Sequence, residues 1–359
     1  MARKVSVKVA TEPFYIGDTK MDYGSIMVPV AAQTLAPDSL YALMQRIAVQ
    51  NGLDVVAITT GLSPQGLKLG SVNFVSLKKP EIMLLAGQGV SPTDIGEAWH
   101  LLDNRFDMTP SLVAPEALDR VNIDRYTVIV VSDGSYGGIT PASRDKLRAW
   151  VQRGNTLLAI GGGAKWVADN GLSTTRFKAA RNPTTPLAPE TAAPPATANQ
   201  PNAAPAPSAS SRPSAPSPAL LPQQPYVGMR NTASAQEISG AIFNARLDLT
   251  HPLGYGYENP DVHLFRDNRL FMERSASPYA NPLMYTAQPL ASGFISKANE
   301  LKLRNTAAVD ITDVGAGRII SLVDNPNFRA FWYGTNKLFL NSIFFGQFMR
   351  AGSPTPSDE

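Results

Sequence analysis

Three short apolar runs, Ile82–Ala86, Thr127–Val131 and Thr156–Ile160, alternate with helix-start signals, and this alternation narrows the folds open to the chain. A run without a polar face suits a strand covered on both sides, as in a parallel sheet. Parallel neighbours need long crossovers, and helical patterns fill the intervals here. After the first run, Ser91-Pro-Thr-Asp94 forms a capping box with proline at the first helical position. The following helix is expected to turn Ile95, Ala98, Trp99, Leu102 and Phe106 inward. Thr140-Pro141 opens a second helix, which carries Leu147, Trp150 and Val151 and stops at Gly154. The third run leads straight into Gly161-Gly162-Gly163 and another helix start. Strand–helix alternation at this spacing predicts a parallel α/β sheet with helices on both faces.

The flanks read differently. Val5–Ala10, Ser25–Val30 and Val55–Thr59 are expected strands. Asp38 caps an expected helix over Ser39–Gln50, with Leu40, Leu43, Ile47 and Ala48 on one face and Gly52 just past its end. Residues 61–79 are loop-rich, so 1–79 forms a small α+β segment that docks on the next domain. Residues 181–225 hold 13 of the 30 prolines among Ala, Ser and Thr. Such a stretch lacks the apolar surface to offset its ordering entropy, which predicts a disordered insert. Beyond it, Ala241–Leu247, Ala307–Thr312 and Arg318–Val323 are expected strands, the last two joined by the hairpin signal Val314-Gly-Ala-Gly317. Ser296 caps a short helix, Pro252–Pro289 reads as long surface loops, and a helix over Thr335–Phe348 closes the chain. The α/β domain is thus expected over 80–180 and 226–350, with 351–359 a disordered tail.

Composition removes several function classes. A formal net charge of +3, spread without a basic stripe, gives no footprint for nucleic acid. Zero cysteines exclude disulfides, thiolate ligands and a cysteine nucleophile together. No apolar run reaches the roughly 18 residues of a membrane helix, so no membrane span is expected. The start, Met1-Ala-Arg-Lys-Val, has a charged head and no apolar core region, so no signal peptide is visible.

Chemistry has few places to sit. The histidines are His100, His251 and His263, and none begins a His-x-x-Glu pair, so no metal site and no cofactor is expected. His251, before Pro252, reads as a turn residue. In open α/β sheets, sites gather at the carboxyl edge of the strands. Three loops qualify, and they offer Gln88 and Gly89, Ser135 and Tyr136, and Gly161, Gly162 and Gly163 as ligand-binding candidates. Ser135, with Asp133 beside it and His100 as base, is the catalytic candidate, although Asp-Gly-Ser is also common turn chemistry. The glycine triplet stands where a strand-to-helix elbow holds a nucleophile, yet it offers backbone N–H groups only. Close helix–strand packing is the alternative reason for it. The aromatic group Phe328, Phe331, Trp332 and Tyr333 is assigned to the core.

Several segments, in order, resemble bacterial zinc carboxypeptidase-like proteins: Gly96-Glu-Ala-Trp-His-Leu-Leu-Asp103, Leu247-Asp-Leu-Thr-His-Pro-Leu-Gly-Tyr-Gly-Tyr257, Ser277-Pro-Tyr-Ala280, Ser292-Gly-Phe-Ile-Ser296 and the closing Asp324–Gly346 run. In that group a metallopeptidase domain precedes a class I glutamine amidotransferase-like region. The resemblance implies a three-layer, flavodoxin-like fold for this chain. It also implies a partner in the form of a zinc metallopeptidase domain or subunit. Peptide or cell-wall material is the implied ligand, in a periplasmic or secreted setting. The zinc ligands and catalytic glutamate have no counterpart here, and Gly161 falls where the amidotransferase cysteine would stand. The expectation is therefore a non-catalytic, accessory amidotransferase-like domain. The alternatives are a serine-type hydrolase using Ser135 and a peptide- or glycan-binding module at the carboxyl edge of the sheet.

Overall fold

A computed structural model describes residues 5–178 and 225–352. The expected 181–225 insert, apart from Pro225, and most of the 351–359 tail lie outside the described residues. One unit comprises Met1–Lys178 and Glu237–Glu359, and a second comprises Ala179–Gln236.

The chain opens with short antiparallel pieces. β1 (Lys8–Ala10), β2 (Phe14–Ile16), β3 (Thr19–Met21) and β4 (Ile26–Met27) precede α1 (Pro37–Asn51), and β5 (Phe74–Ser76) follows it. β1 is the centre of a three-stranded sheet between β4 and β5, while β2 and β3 form a hairpin. Ala10, Phe14, Leu67 and Phe74 make a separate small core. Gly52 ends α1 in the left-handed conformation, as its position in the sequence predicts. Of the expected apolar face of α1, only Leu40 is fully buried. Val55–Thr59 is exposed and forms no strand, whereas β5 arises inside the expected loop. The β-branched run supplies propensity, but no strand edge pairs with it.

The main sheet uses β6 (Ile82–Leu85), α2 (Pro92–His100), β7 (Ser111–Val113), β8 (Val128–Val131), α3 (Pro141–Gln152), β9 (Thr156–Ile160) and α4 (Gly162–Asp169). α5 (Met229–Gln236) belongs to the second unit. The first unit resumes with β10 (Ala241–Leu247), β11 (Asp261–Arg266), β12 (Leu283–Ser292), α6 (Lys297–Leu303), β13 (Val309–Val314), β14 (Gly317–Leu322) and α7 (Asn336–Phe345). Strand order is β13-β14-β9-β8-β6-β7. All neighbours from β14 to β7 are parallel, and β13 is an antiparallel edge. Along the parallel strands the chain visits second, first, third, fourth and fifth positions, which is the flavodoxin-type order. Right-handed crossovers run in opposite directions from β6 and from β8, which places α2 and α3 on opposite faces. Every residue of β6, β8 and β9 is buried, as their unbroken apolar runs predict.

The expected 252–289 loops contain two strands. β11 and β12 flank β10 in an antiparallel three-stranded sheet whose inner residues, among them Phe243, Ala245 and Tyr285, join the main core. Pro289 argues against a strand, but the β10–β12 register shifts twice between Ile242 and Ala245, and this irregularity accommodates it. A second correction concerns α2. Its backbone continues as a π-turn over Leu101–Arg105, which changes the angular phase. Within and past it Leu101 and Leu102 are buried and Phe106 faces solvent, while Trp99, which precedes the π-turn, is already 37% exposed on the regular part of α2.

Candidate functional site at the carboxyl edge

Strand order reverses between β6 and β8, so the loops leaving these strands flank the crevice where open α/β sheets take ligands. Here the crevice is stitched shut at its base. Ser135 N donates to Gly89 O at 2.7 Å and Ser91 N donates to Asp133 O at 2.8 Å. A Cβ on Gly89 would come within 2.6 Å of Ser135 O, so this approach requires glycine. Gln88 remains exposed at the tip of its loop. Tyr136 is buried and donates its hydroxyl to Ser132 O at 2.8 Å, so it braces the loop.

The glycine triplet has three separate reasons. Gly161 adopts φ 56 and ψ −125, a sharp strand-to-helix elbow. A Cβ there would meet nothing nearer than Asp133 Cβ at 3.7 Å, so the elbow has room for a side chain and carries none. A Cβ on Gly162 would fall 1.9 Å from Asp133 Oδ1, and Gly162 N–H donates to that carboxylate. Asp133 thus occupies the start of α4, where a phosphate would have to sit. A Cβ on Gly163 would lie 2.4 Å from both Val131 O and Ser132 O, so close packing of α4 on β8 accounts for it.

Ser135, Asp133 and His100 are not brought together as a triad. Ser135 and Asp133 adjoin the N-cap of α2, and His100 ends that nine-residue helix, roughly 12 Å further along. A serine–histidine couple needs about 3 Å. The buried Nδ1 of His100 has no partner among the described residues.

What the carboxyl edge does assemble is a group of four carboxylates, Asp94, Glu97, Asp133 and Asp267, of which sequence reading singled out only Asp133. Ser91, the N-cap of α2, fixes Asp94 in the first turn. Glu97, one turn on, is 7% exposed. The segment after β14 reaches over both. Asn325 Nδ2 donates to Glu97 Oε2 at 2.6 Å and to Asp94 Oδ1 at 2.9 Å, and Arg329 N donates to Glu97 Oε1 at 2.6 Å. Burial pushes the Glu97 carboxyl above its usual value against these hydrogen bonds, and Asp94 adds to the rise. Asp133 and Asp267 stand exposed at the rim, yet partial desolvation and then Asp94 lift both. Arg329 is the cation that opposes the rise at Asp267. No group of three such side chains among the described residues is arranged to hold a metal ion. The arrangement can retain protons or accept hydrogen-bond donors. The capping box that contains Asp94 and the Gly96–Asp103 segment that contains Glu97 are both conspicuous in the sequence, but nothing local marks Asp267.

The aromatic group also departs from expectation. Phe331 is 56% and Tyr333 59% exposed, and Phe328 and Trp332 are only half-buried. Phe331, Trp332 and Tyr333 line a surface cleft and are not core, while Phe328 stacks on Phe265 beside it. The backbone just before them holds Arg329 at φ 47 and Ala330 at φ 55, a conformation rarely adopted by non-glycine residues.

No protein-family model and no characterised relative matches this chain. Among solved structures, a ThuA-like protein from Parabacteroides merdae is similar at 13% identity, covering 78% of this chain and 94% of that one, with a TM-score of 0.47. A GMP synthase component from Thermoplasma acidophilum is similar at 10% identity, covering 74% and 94%, with a TM-score of 0.39. A β-galactosidase from Bacillus circulans shows 9% identity over 75% of this chain and 30% of its own, with a TM-score of 0.33. Every one of these scores is below 0.5, so the fold assignment stands on the strand order itself.

Proposed function

We propose that this chain is a non-catalytic, amidotransferase-like module that works beside a zinc metallopeptidase and presents a binding surface for peptide or cell-wall material. The observation that carries the reading is Gly161: a nucleophile-elbow backbone with space for a side chain and no nucleophile. Covalent acyl transfer needs an activated nucleophile with a base in reach, and neither Gly161 nor Ser135 supplies the pair. Support for the metallopeptidase partner comes from the resemblance, whose scattered segments touch one another. Asn325 holds Glu97, Asn341 Nδ2 donates to Leu253 O and Tyr255 O at 2.8 and 2.9 Å, and Tyr257 donates to Gly334 O at 2.9 Å. Leu253, Tyr255 and Asn341 are buried, so these bonds join the segments inside the fold, and the case for the partner rests on the resemblance alone.

The test combines activity with partnership. Purified protein is expected to release no ammonia from glutamine, to contain no stoichiometric zinc by elemental analysis and to release no C-terminal amino acids from peptides. A His-x-x-Glu peptidase encoded in frame or next to this chain is expected to co-elute with it. Glutamine hydrolysis, or chelator-sensitive peptidase activity with stoichiometric zinc, overturns the proposal. An esterase activity abolished by Ser135→Ala would instead promote the serine-hydrolase alternative.

A further inference from the structure

The cleft beside the aromatic segment has a volume of about 800 Å³ and is walled by Tyr257, Glu258, Asp261, Phe331, Trp332 and Tyr333. That size falls in the range of small-molecule sites. The unusual feature is that exposed rings are held still. Trp332 Nε1 donates to His263 O at 3.2 Å. Tyr257 is fixed by its bond to Gly334 O and by Lys337 Nζ, 5.1 Å from its ring centre. The Arg105 guanidinium lies 4.3 Å from the centre of the Tyr333 ring. Two consecutive left-handed residues, Arg329 and Ala330, turn the chain so that Phe331 and Tyr333 project outward. Such backbone is strained for a residue with a side chain, and rings more than half exposed recover little of that cost by burial. Strain combined with preorganised exposed aromatics points to an occupant.

The chemistry of the walls selects among occupants. A strand-adding peptide needs a free edge carbonyl row on β11, but Trp332 already takes His263 O there. A polyanion needs cations. Lys337 is the one Lys or Arg in the lining, it is engaged with Gly256 O, and Glu258 and Asp261 oppose a negative ligand. What remains is an occupant with an apolar flat face and a rim of hydroxyl donors. The ring faces accept polarised C–H groups, since their quadrupole is negative. The exposed carboxylate of Glu258 accepts hydroxyl protons, Asp261 keeps its second oxygen for the same purpose beside its pairing with Arg246 at 3.7 Å, and Asn259 adds a side-chain amide.

We infer that this cleft binds a neutral carbohydrate, specifically β-1,4-linked hexopyranose units whose substituents are all equatorial. In such units the axial C–H bonds make both faces apolar and the hydroxyls lie around the edge. A ring stacks on Phe331 and Tyr333 and donates from its edge to Glu258 and Asp261. The inference deepens the binding-module part of the reading above and is independent of Gly161 and of the metallopeptidase partner.

The experiment titrates the full chain with cellopentaose and with chitopentaose, read by calorimetry and tryptophan fluorescence, with maltopentaose and an oligothymidylate as comparisons. Saturable binding of one or both β-1,4 oligosaccharides is expected, with weaker binding of curved maltopentaose. Phe331→Ala and Tyr333→Ala, both at exposed positions, are expected to weaken binding by about tenfold or more each without changing the melting temperature. Phe294→Ala, at another exposed ring outside the lining, is expected to bind as the parent does. The two oligosaccharides separate glucose from N-acetylglucosamine units as the preferred source. Absence of binding by both at millimolar concentration overturns the inference. So does binding unaffected by the two cleft substitutions, or tighter binding of the oligothymidylate. None of these outcomes bears on glutamine hydrolysis or zinc content, so the two proposals fail separately.

Discussion

Asp324 accepts a hydrogen bond from Arg266 at 2.8 Å with the two side chains 7% and 0% exposed, and this pair ties the antiparallel sheet to the carboxyl edge of the parallel one. Arg266 ends β11, and Asp324 begins the segment that reaches the carboxylates and the aromatic cleft. Tyr285 and Asn268 also donate to Asp324, and Arg266 donates to Leu270 O. Desolvation pushes the Asp324 carboxyl up and the Arg266 guanidinium down, and mutual attraction opposes both shifts.

Removing one partner leaves the other as an uncompensated buried charge. Arg266→Met and Asp324→Leu are each expected to destabilise by about 3–5 kcal/mol in urea unfolding. The double variant loses both charges together, so its loss is expected to be smaller than the sum of the single losses. Additive losses would show that the two side chains are not coupled.

The glycine triplet predicts a graded series. Gly161→Ala meets no neighbour closer than 3.7 Å and carries only the backbone strain of φ 56 with ψ −125, about 1–3 kcal/mol. Gly163→Ala drives a methyl group into two backbone carbonyls at 2.4 Å, which no side-chain motion relieves. It is expected to be the more destabilising by at least about 2 kcal/mol in the same unfolding assay. Equal losses would contradict the packing role assigned to Gly163.

The parallel strands were legible because burial on both sides removes polar residues from β6, β8 and β9 almost entirely. Caps were legible for a local reason: Ser91, Thr140 and Ser296 each accept from a backbone N–H three residues on. β7 was not legible. It is three residues long at a half-exposed edge, yet its position fixes where the strand order reverses. Asp267 and Asn325 lie far from α2 in sequence and meet Glu97 and Asp94 only through sheet topology. Counting aromatics at the C-terminal run predicts burial, but the left-handed pair Arg329–Ala330 decides their direction, and neither residue type announces that conformation. The zinc carboxypeptidase association came from segment order, and strand order cannot reach it.

His251 carries an acid-sensitive part of stability. Its Nδ1 accepts from Leu253 N at 3.1 Å, capping a turn as its place before Pro252 predicts, while its buried Nε2 has no partner among the described residues. Burial depresses its pKa from 6.5 to about 4. The unfolded chain therefore takes a proton between about pH 6.5 and 4 that the folded chain refuses. The resulting stability is fully present above that window and is lost as pH falls through it, by up to about 3 kcal/mol. His251→Asn keeps a cap acceptor without the titration. Relative to the parent's, its unfolding free energy is expected to rise between pH 7 and pH 4. A profile parallel to the parent's would contradict the assignment.

Asp310 works in the opposite direction. It is 2% exposed and accepts from Thr175 Oγ1 at 2.7 Å and from Asn281 Nδ2 at 3.0 Å. Burial raises its pKa from 3.8 to about 6 despite those bonds. Between these values the folded chain holds a proton that the unfolded chain has released. The favourable contribution is complete below the unfolded value and is lost as pH rises through about 6, a swing of up to about 3 kcal/mol. Asp310→Asn keeps the acceptor facing Asn281. Its amide can donate to Thr175 Oγ1, whose own proton turns to Ser321 Oγ at 3.3 Å, and Thr312, which also bonds the carboxylate, has Thr174 Oγ1 at 3.2 Å as its other partner. The variant is expected to be more stable than the parent at pH 7 and to show little advantage at pH 4. Because His251 and Asp310 titrate with opposite signs over the same range, the parent profile is partly flattened. Each single variant should therefore expose the slope of the remaining group, and the double variant should remove both. A parent profile unchanged in shape by either substitution would rule out this compensation.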